Sequence, residues 1–281
     1  MEITYDDFKQ CCPAGEVPDS DIFDSVGAQI QRWKDWAREL ATPDIYDSLD
    51  KLDAEPVTED YDRHVALRRF LVGMVCSFAF EDAIPQLDLV LTHTGFGVVS
   101  NQNVAPASQD RVNALKTQLH KQGNIYLEEA LDVLRHLGVP MKSKLCSRFF
   151  LTFFWKAEHL HVFGIPNPTR DDLATKIPKI LEAQSFVSTA ISPAQVQALL
   201  DAQASGTATS VQNIAIGMCR VLCVYLTGQN VRLIQDQRLA LLNFMEEYLD
   251  DFPEYRDSET YKANHFQRYE NQKDDPCFFF G

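Results

Sequence analysis

The sequence predicts a mainly α protein, a helical bundle carrying one small β-hairpin. Three observations predict it. Apolar residues recur at three- and four-residue steps over long stretches, as in Ile22, Val26, Ile30, Trp33 and Ala37. Helix starts and stops stand in the order helices need: Ser192-Pro193 opens one, and Gly138 followed by Pro140 closes another. One stretch instead has a period of two: Leu87, Leu89 and Leu91 alternate with Asp88, Val90 and Thr92.

The elements follow in chain order. Asp19-Ser20-Asp21 starts a helix, with its carboxylates at the positive end of the helix dipole, and Pro43 closes it. Residues 42–58 read as a turn with a short helix around Ile45–Leu52. A second long helix starts near Thr58 and runs through "RHVALRRFLVGMVCSFAFEDAI". After Ala66 it is apolar almost all round, which marks a central, buried helix, and Pro85 is expected to end it.

The hairpin comes next, over about residues 87–100. His93-Thr94-Gly95 is its turn, where Gly95 can take positive φ, and Phe96-Gly97-Val98-Val99 is its return. Ser108 caps the following helix, which runs to about Leu137. "KLCSRFFLTFFWKAEHLHVFGI" is ambiguous, aromatic and β-rich at first and helix-like from Trp155. Ile165-Pro166-Asn167-Pro168 is a break. Thr169 caps the next helix, with Pro178 as a kink. "DAQASGTATS" reads as a loop and "VQNIAIGMCRVLCVYLTGQNVRL" as a second buried helix. "QDQRLALLNFMEEYLDDF" is amphipathic, and from Pro253 the chain turns polar until "CFFFG".

These elements group as an N-terminal helical segment (1–57), a helical half with the hairpin (58–140), a second helical half (141–252) and an extended C-terminal tail (253–281). In both halves a buried helix, then a polar connection, then a long amphipathic helix follow one another. That order suggests a degenerate duplication of a helical hairpin. Helix amphipathicity alone gives the same impression.

Composition narrows the function classes. The 281 residues hold 26 Lys and Arg against 40 Asp and Glu, a net charge of −14. Gripping nucleic acid needs clustered cations, so sequence-specific nucleic-acid binding is not expected. An acidic wall still suits a surface past which DNA slides. No apolar run reaches the roughly 20 residues of a bilayer span, so no membrane partner is expected. The acidic start "MEITYDDFKQCC" lacks the apolar core of a secretory signal. Cys76, Cys146, Cys219 and Cys223 lie in apolar stretches and read as reduced core residues, while Cys11-Cys12 is a vicinal pair.

No motif names a reaction. "HTGFGVV" has two glycines but neither the lysine nor the third glycine of a phosphate loop, and no helix follows it directly. Glu158, His159 and His161 in "EHLHVFG" could be metal ligands. On a helix the two histidines diverge by about 200°, and no third ligand is evident nearby, so a helix end packed through Leu160, Val162 and Phe163 reads better. The acidic pairs Glu81-Asp82, Glu128-Glu129, Asp171-Asp172, Asp250-Asp251 and Asp274-Asp275 read as solvated surface. Cys146 has His136 and His159 on either side in sequence only. The expectation is therefore no catalytic residue, no metal and no cofactor. Phe278, Phe279 and Phe280 end an otherwise polar tail; docked, they would bury about 500 Å², either on their own core or on a neighbouring subunit.

"LTHTGFGVVSNQNVAPASQDRV", "TKIPKILEAQSFVSTAISPAQVQALL" and the aromatic C-terminal end resemble an uncharacterised family of phage and prophage proteins of Bacteroides and its relatives. Those proteins look like head–tail adaptor, or connector, subunits. The resemblance covers roughly residues 60–281. Its most specific part is the strand with Gly95, the Val98-Val99-Ser100 return, and Ala107-Ser108 before the next helix. This chain is longer at its N-terminus than the family pattern, and its "HTGFG" turn is richer in glycine and aromatic. The family brings no catalytic residues with it. The resemblance implies a structural virion protein, assembled in the bacterial host cytoplasm as a homo-oligomeric ring, with portal and tail proteins as partners and DNA passing through an acidic channel. Thr94, Gly95, Phe96, Gly97, Phe278, Phe279 and Phe280 are the candidate subunit contacts. A cytoplasmic phage assembly factor is the alternative, and an enzyme with an unrecognised site the third reading.

Overall fold

A computed structural model of the chain describes residues 1–11, 20–51, 60–87, 90–92, 95–97 and 108–266. The fold is mainly α. The chain divides into two compact units, residues 1–175 with 202–207, and residues 176–201 with 208–281.

The first unit is built around one helix. Helices α1 (Tyr5–Cys11), α2 (Ser20–Ala41) and α3 (Pro43–Ser48) lead into α4 (Tyr61–Leu87). Every residue of α4 from Leu71 to Phe80 is buried, and ten consecutive residues point to every side of a helix. A helix with no polar face must be covered all round. It is covered by α1, by the Val26–Ile30–Ala37–Leu40 stripe of α2, and by α5 (Gln109–His136). From α5 come Leu119, Gly123, Leu127, Leu131 and Leu134, at three- and four-residue steps. Each large apolar side chain so buried contributes about 1.5–3 kcal/mol, which makes α4 the stabilising centre of this unit.

Gly138 ends α5 in the left-handed region, φ 68°, and the chain turns through a 3-10 turn at Val139–Met141 into α6 (Lys144–Ser147). Ser143 caps α6 by accepting from Cys146 N, and its hydroxyl donates to Glu39 O at 2.9 Å. The following aromatic stretch forms no strand. It runs through 3-10 turns at Arg148–Phe150 and Ala157–Phe163, and Phe150, Phe153, Phe154 and Trp155 are buried. Its apolar density fills core space instead of a sheet. Residues 202–207 return to this unit: Gln203 donates to Thr152 O at 3.1 Å and accepts at its own carbonyl from Arg135 at 3.2 Å.

Helix α7 (Arg170–Ala190) starts in the first unit and continues into the second, which also holds most of α8 (Pro193–Ser205) and all of α9 (Ser210–Thr227), α10 (Val231–Glu247), α11 (Pro253–Arg256) and α12 (Glu259–Asn264). A capping box starts α9: Thr209 Oγ1 accepts from Gln212 N, and Gln212 Oε1 accepts from Thr209 N, both at 3.1 Å. Asn230 caps α10. Helices α9 and α10 pack as a hairpin; Ile216, Cys219, Leu222 and Cys223 of α9 and Leu241, Leu242 and Met245 of α10 are buried, as are Phe252 and Tyr255.

Several expectations change. Pro85 does not end α4, which continues to Leu87; a missing N–H this near the C-terminus removes one backbone bond only. Ser108 precedes α5 with extended backbone, but its side chain makes no capping bond. Residues 201–205, expected as loop, are the last turns of α8. Helix α9 is buried on one face only, with Ile214 exposed and Met218, Val221 and Tyr225 half-buried along the same stripe. Residues 253–264, expected in an extended tail, form α11 and α12. The division at 175/176 also differs from the expected halves 58–140 and 141–252. By length and composition α4 and α9 are each apolar enough to cross a bilayer, although neither was expected to be; the apolar side chains of α4 are the core of the first unit.

Backbone pairing is described for two three-residue segments, β1 (Val90–Thr92) and β2 (Gly95–Gly97), antiparallel with Leu91 opposite Phe96. Residues 88, 89, 93, 94 and 98–107, the rest of the expected hairpin and its exit, lie outside the described residues.

Candidate functional site

A cluster of ionisable side chains in the first unit lies where α4, α5 and the start of α7 meet. Thr117, His120, Asn124 and Glu128 fall at three- and four-residue steps on one face of α5. Glu81 comes from the last turns of α4, and Arg170 and Asp171 from the first turn of α7. The start of α7 is fixed by a reciprocal cap: Asp172 N donates to Thr169 Oγ1 at 3.2 Å, and Thr169 N donates to Asp172 Oδ2 at 2.8 Å.

His120 is held between two carboxylates. Its Nδ1 lies 3.1 Å from Glu81 Oε2 and its Nε2 3.1 Å from Asp171 Oδ1, while its ring meets Phe78 edge-on. Partial burial works against the charged ring, but its hydrogen bonds to Asp171 and Glu81 outweigh it and hold its pKa above the ordinary value. Only the imidazolium donates from both nitrogens. In that state the ring has no lone pair to act as a base, and the cluster works as an electrostatic clamp joining three helices.

Beside it, Glu128 and Arg170 form a largely buried ion pair, Arg170 NH1 to Glu128 Oε1 at 3.0 Å. The same oxygen accepts from Ala157 N at 2.8 Å, and Arg170 NH1 also donates to Trp155 O at 3.2 Å. Burial lowers the Arg170 pKa and Glu128 opposes that shift. The guanidinium also lies over the Phe149 ring, 4.8 Å from its centre. A cavity of about 180 Å³ borders this cluster, lined by His120, Asn124, Glu128 and Arg170 among others.

Four acidic pairs expected as solvated surface therefore have partners. Glu81 and Asp171 hold His120. Asp82 accepts from Arg32 and from Trp33 Nε1, and Glu129 pairs with Lys156 at 3.3 Å. Asp251 accepts from Thr209 at 3.2 Å, and Asp274-Asp275 lie outside the described residues. The signal available in the sequence was placement beside helix ends and apolar runs, which spacing alone does not convert into a partner.

The histidines of "EHLHVFG" do not converge. His159 Nδ1 accepts from Lys156 N at 3.4 Å, and His161 Nδ1 lies 3.0 Å from Ile165 O. Leu160 of this turn is buried, whereas Val162, expected to pack, is exposed. Among the described residues no group of three or more His, Cys, Asp or Glu is placed to hold a metal ion. Burial pushes the thiols of Cys146 and Cys223 up to about 12.

Of the candidate subunit contacts, Gly95, Phe96 and Gly97 form β2. Thr94, Phe278, Phe279 and Phe280 lie outside the described residues.

The chain is similar to a family described as "Family of unknown function (DUF6712)", matched over residues 37–138 and 229–265. The match takes in "LTHTGFGVVS" and α5, but not "TKIPKILEAQSFVSTAISPAQVQALL". No curated protein and no solved structure matches the chain.

Proposed function

We propose that this chain is a non-enzymatic structural protein of a phage particle, a head–tail adaptor that forms a homo-oligomeric ring next to the portal. The resemblance carried by residues 91–112, 175–200 and the aromatic C-terminal end points to that role. One structural observation favours self-assembly: the second unit leaves large apolar side chains exposed. Phe186 of α7 is 59% exposed, Ile214 of α9 54%, Val231 of α10 71% and Leu239 of α10 59%. The first unit exposes Ile125, Met141 and Leu151 as well, and exposed apolar side chains are the raw material of a subunit contact. Thr94–Gly97 and Phe278–Phe280 are the candidate interlocking arms. A ring uses an arm on one subunit and a groove on the next. The net charge of −14 suits a lumen that DNA passes without sticking.

Light scattering on the purified full chain, with negative-stain imaging, tests the reading. A ring-sized species that falls to monomer in an Ile214→Asp, Leu239→Asp double variant, or on deletion of residues 276–281, is the expected result. A monomer or dimer at tens of micromolar, absent from purified particles, overturns the adaptor and leaves the cytoplasmic assembly factor.

A further inference from the structure

Two thiols in the first unit lie together. Helix α1 packs on α4 with the Phe8 ring edge-on to Phe80, centres 5.5 Å apart. At the end of α1 the Cys11 sulfur hydrogen-bonds to the thiol of Cys76 on α4. Neither is in a disulfide, and their surroundings differ. Cys76 is 2% exposed. Cys11 is half-buried and stands on the wall of a cavity of about 770 Å³, with Thr4, Gln10, Arg68 and Arg69 among its other lining residues. Cys11 therefore faces a space that small reagents can enter, and Cys76 is not among the described residues that line it.

We propose that Cys11 and Cys76 are a peroxide-sensitive dithiol, in which Cys11 is the attacked thiol and Cys76 the resolving one. The Cys11 thiolate attacks one oxygen of hydrogen peroxide. The O–O bond breaks, hydroxide leaves and takes up a proton as water, and Cys11 becomes a sulfenic acid. The Cys76 thiol then loses its proton and attacks the Cys11 sulfur; the S–O bond breaks and a second water leaves. Two thiols and one peroxide give one disulfide and two waters.

Selectivity follows from the surroundings. The hydrogen bond from Cys76 lowers the Cys11 pKa against partial burial and the nearby Asp7 carboxylate. Burial raises the pKa of Cys146, Cys219 and Cys223, which disfavours their reactive thiolates. Forming the S–S bond of about 2 Å asks for movement of one seven-residue helix. The bond would staple α1 to the central helix. None of this depends on the chain forming a ring.

The vicinal Cys12 competes in sequence, so the test uses the full chain with Cys12→Ser. After hydrogen peroxide, intact mass should fall by two hydrogens, peptide mapping should find Cys11 linked to Cys76, and a reductant should reverse both. The oxidised protein should melt about 5 °C or more above the reduced one. Adding Cys11→Ser should leave Cys76 reduced at the same dose. With Cys76→Ala, Cys11 should stop as a sulfenic acid that a dimedone reagent traps. Mapping that finds Cys11 unmodified, or oxidised with Cys76 still a free thiol, overturns the proposal without relying on any substitution at the buried position.

Discussion

Gly123 of α5 lies against the ring of Phe78 of α4 so closely that a Cβ there would come within 2.7 Å of Phe78 Cε1. The relationship is reciprocal: a Cβ on Gly73 of α4 would come within 2.6 Å of the Tyr126 ring on α5. Each helix lets an aromatic ring of the other rest on its backbone. The rings are not equally free to give way. Phe78 is buried and stacked on Trp33, ring centres 4.6 Å apart, whereas Tyr126 is half-buried at a cavity wall. Gly123→Ala should cost up to about 2 kcal/mol net, overpacking of roughly 1–3 kcal/mol less about 1 kcal/mol of regained helix propensity. Gly73→Ala should cost less, near zero, because Tyr126 can swing outward. Urea melts of the two variants compare them directly; a Gly123→Ala protein as stable as Gly73→Ala would show that Phe78 is not pinned.

The buried pair Glu128–Arg170 should behave as a unit. Removing one partner leaves the other charge desolvated, and such losses run to about 3–5 kcal/mol. Glu128→Leu leaves the guanidinium with only Trp155 O and the Phe149 ring, and it also strips Ala157 N of its acceptor. Arg170→Met leaves the carboxylate with the Ala157 N–H. The double variant should be more stable than Glu128→Leu alone. A double-mutant cycle by chemical denaturation reads the coupling, and strictly additive losses would mean that water already screens the pair.

The His120 clamp has a defined pH sign. Its folded pKa is raised above 6.5, so its stabilisation is fully present below that value and is lost as pH rises through the raised one. The side chain is 39% exposed, so screening keeps the effect below about 1 kcal/mol. Melting temperatures of the native chain should therefore fall slightly from about pH 6 to pH 8 relative to His120→Gln. Proton NMR of the imidazole gives the same quantity directly: Glu81→Gln and Asp171→Asn should each lower the His120 pKa. An imidazole that titrates unchanged in both variants would remove the clamp.

The sequence made the helices legible wherever one face repeats. The Val26–Ile30–Ala37 stripe of α2 and the all-round apolar α4 follow from side-chain periodicity, because burial needs exactly such faces. Caps were readable where polar side chains stand at fixed offsets, as at Thr169 and at Ser192, whose Oγ accepts from Gln195 N at 3.4 Å. The aromatic run 148–155 was not readable, since buried rings serve a strand and an irregular core segment equally well. The candidate site was least legible. His120, Glu81 and Asp171 stand 39 and 51 residues apart in the pairs they form, and only the packing of three helices brings them together. Cys11 and Cys76 meet for the same reason.

Tyr255 gives the sharpest test of the second unit, because composition alone places it in a polar tail. Its ring is fully buried, its N–H donates to Gln195 Oε1 at 3.0 Å, and its hydroxyl donates to Glu246 Oε1 at 3.2 Å. Burial and the Glu246 carboxylate push the phenol up to about 12, so it stays a donor at any ordinary pH. Tyr255→Ala removes the ring and leaves a cavity, at a cost of about 3–5 kcal/mol. Tyr255→Phe keeps the ring and loses one hydrogen bond, at about 1 kcal/mol. Hydrogen exchange on the α9 and α10 amides should accelerate strongly in the first variant and only slightly in the second. Equal, small effects would mean that α11 is a surface appendage; the expected split makes Phe252 and Tyr255 part of the core that holds the α9–α10 hairpin, and a chain cut after residue 252 should then lose that hairpin's protection as well.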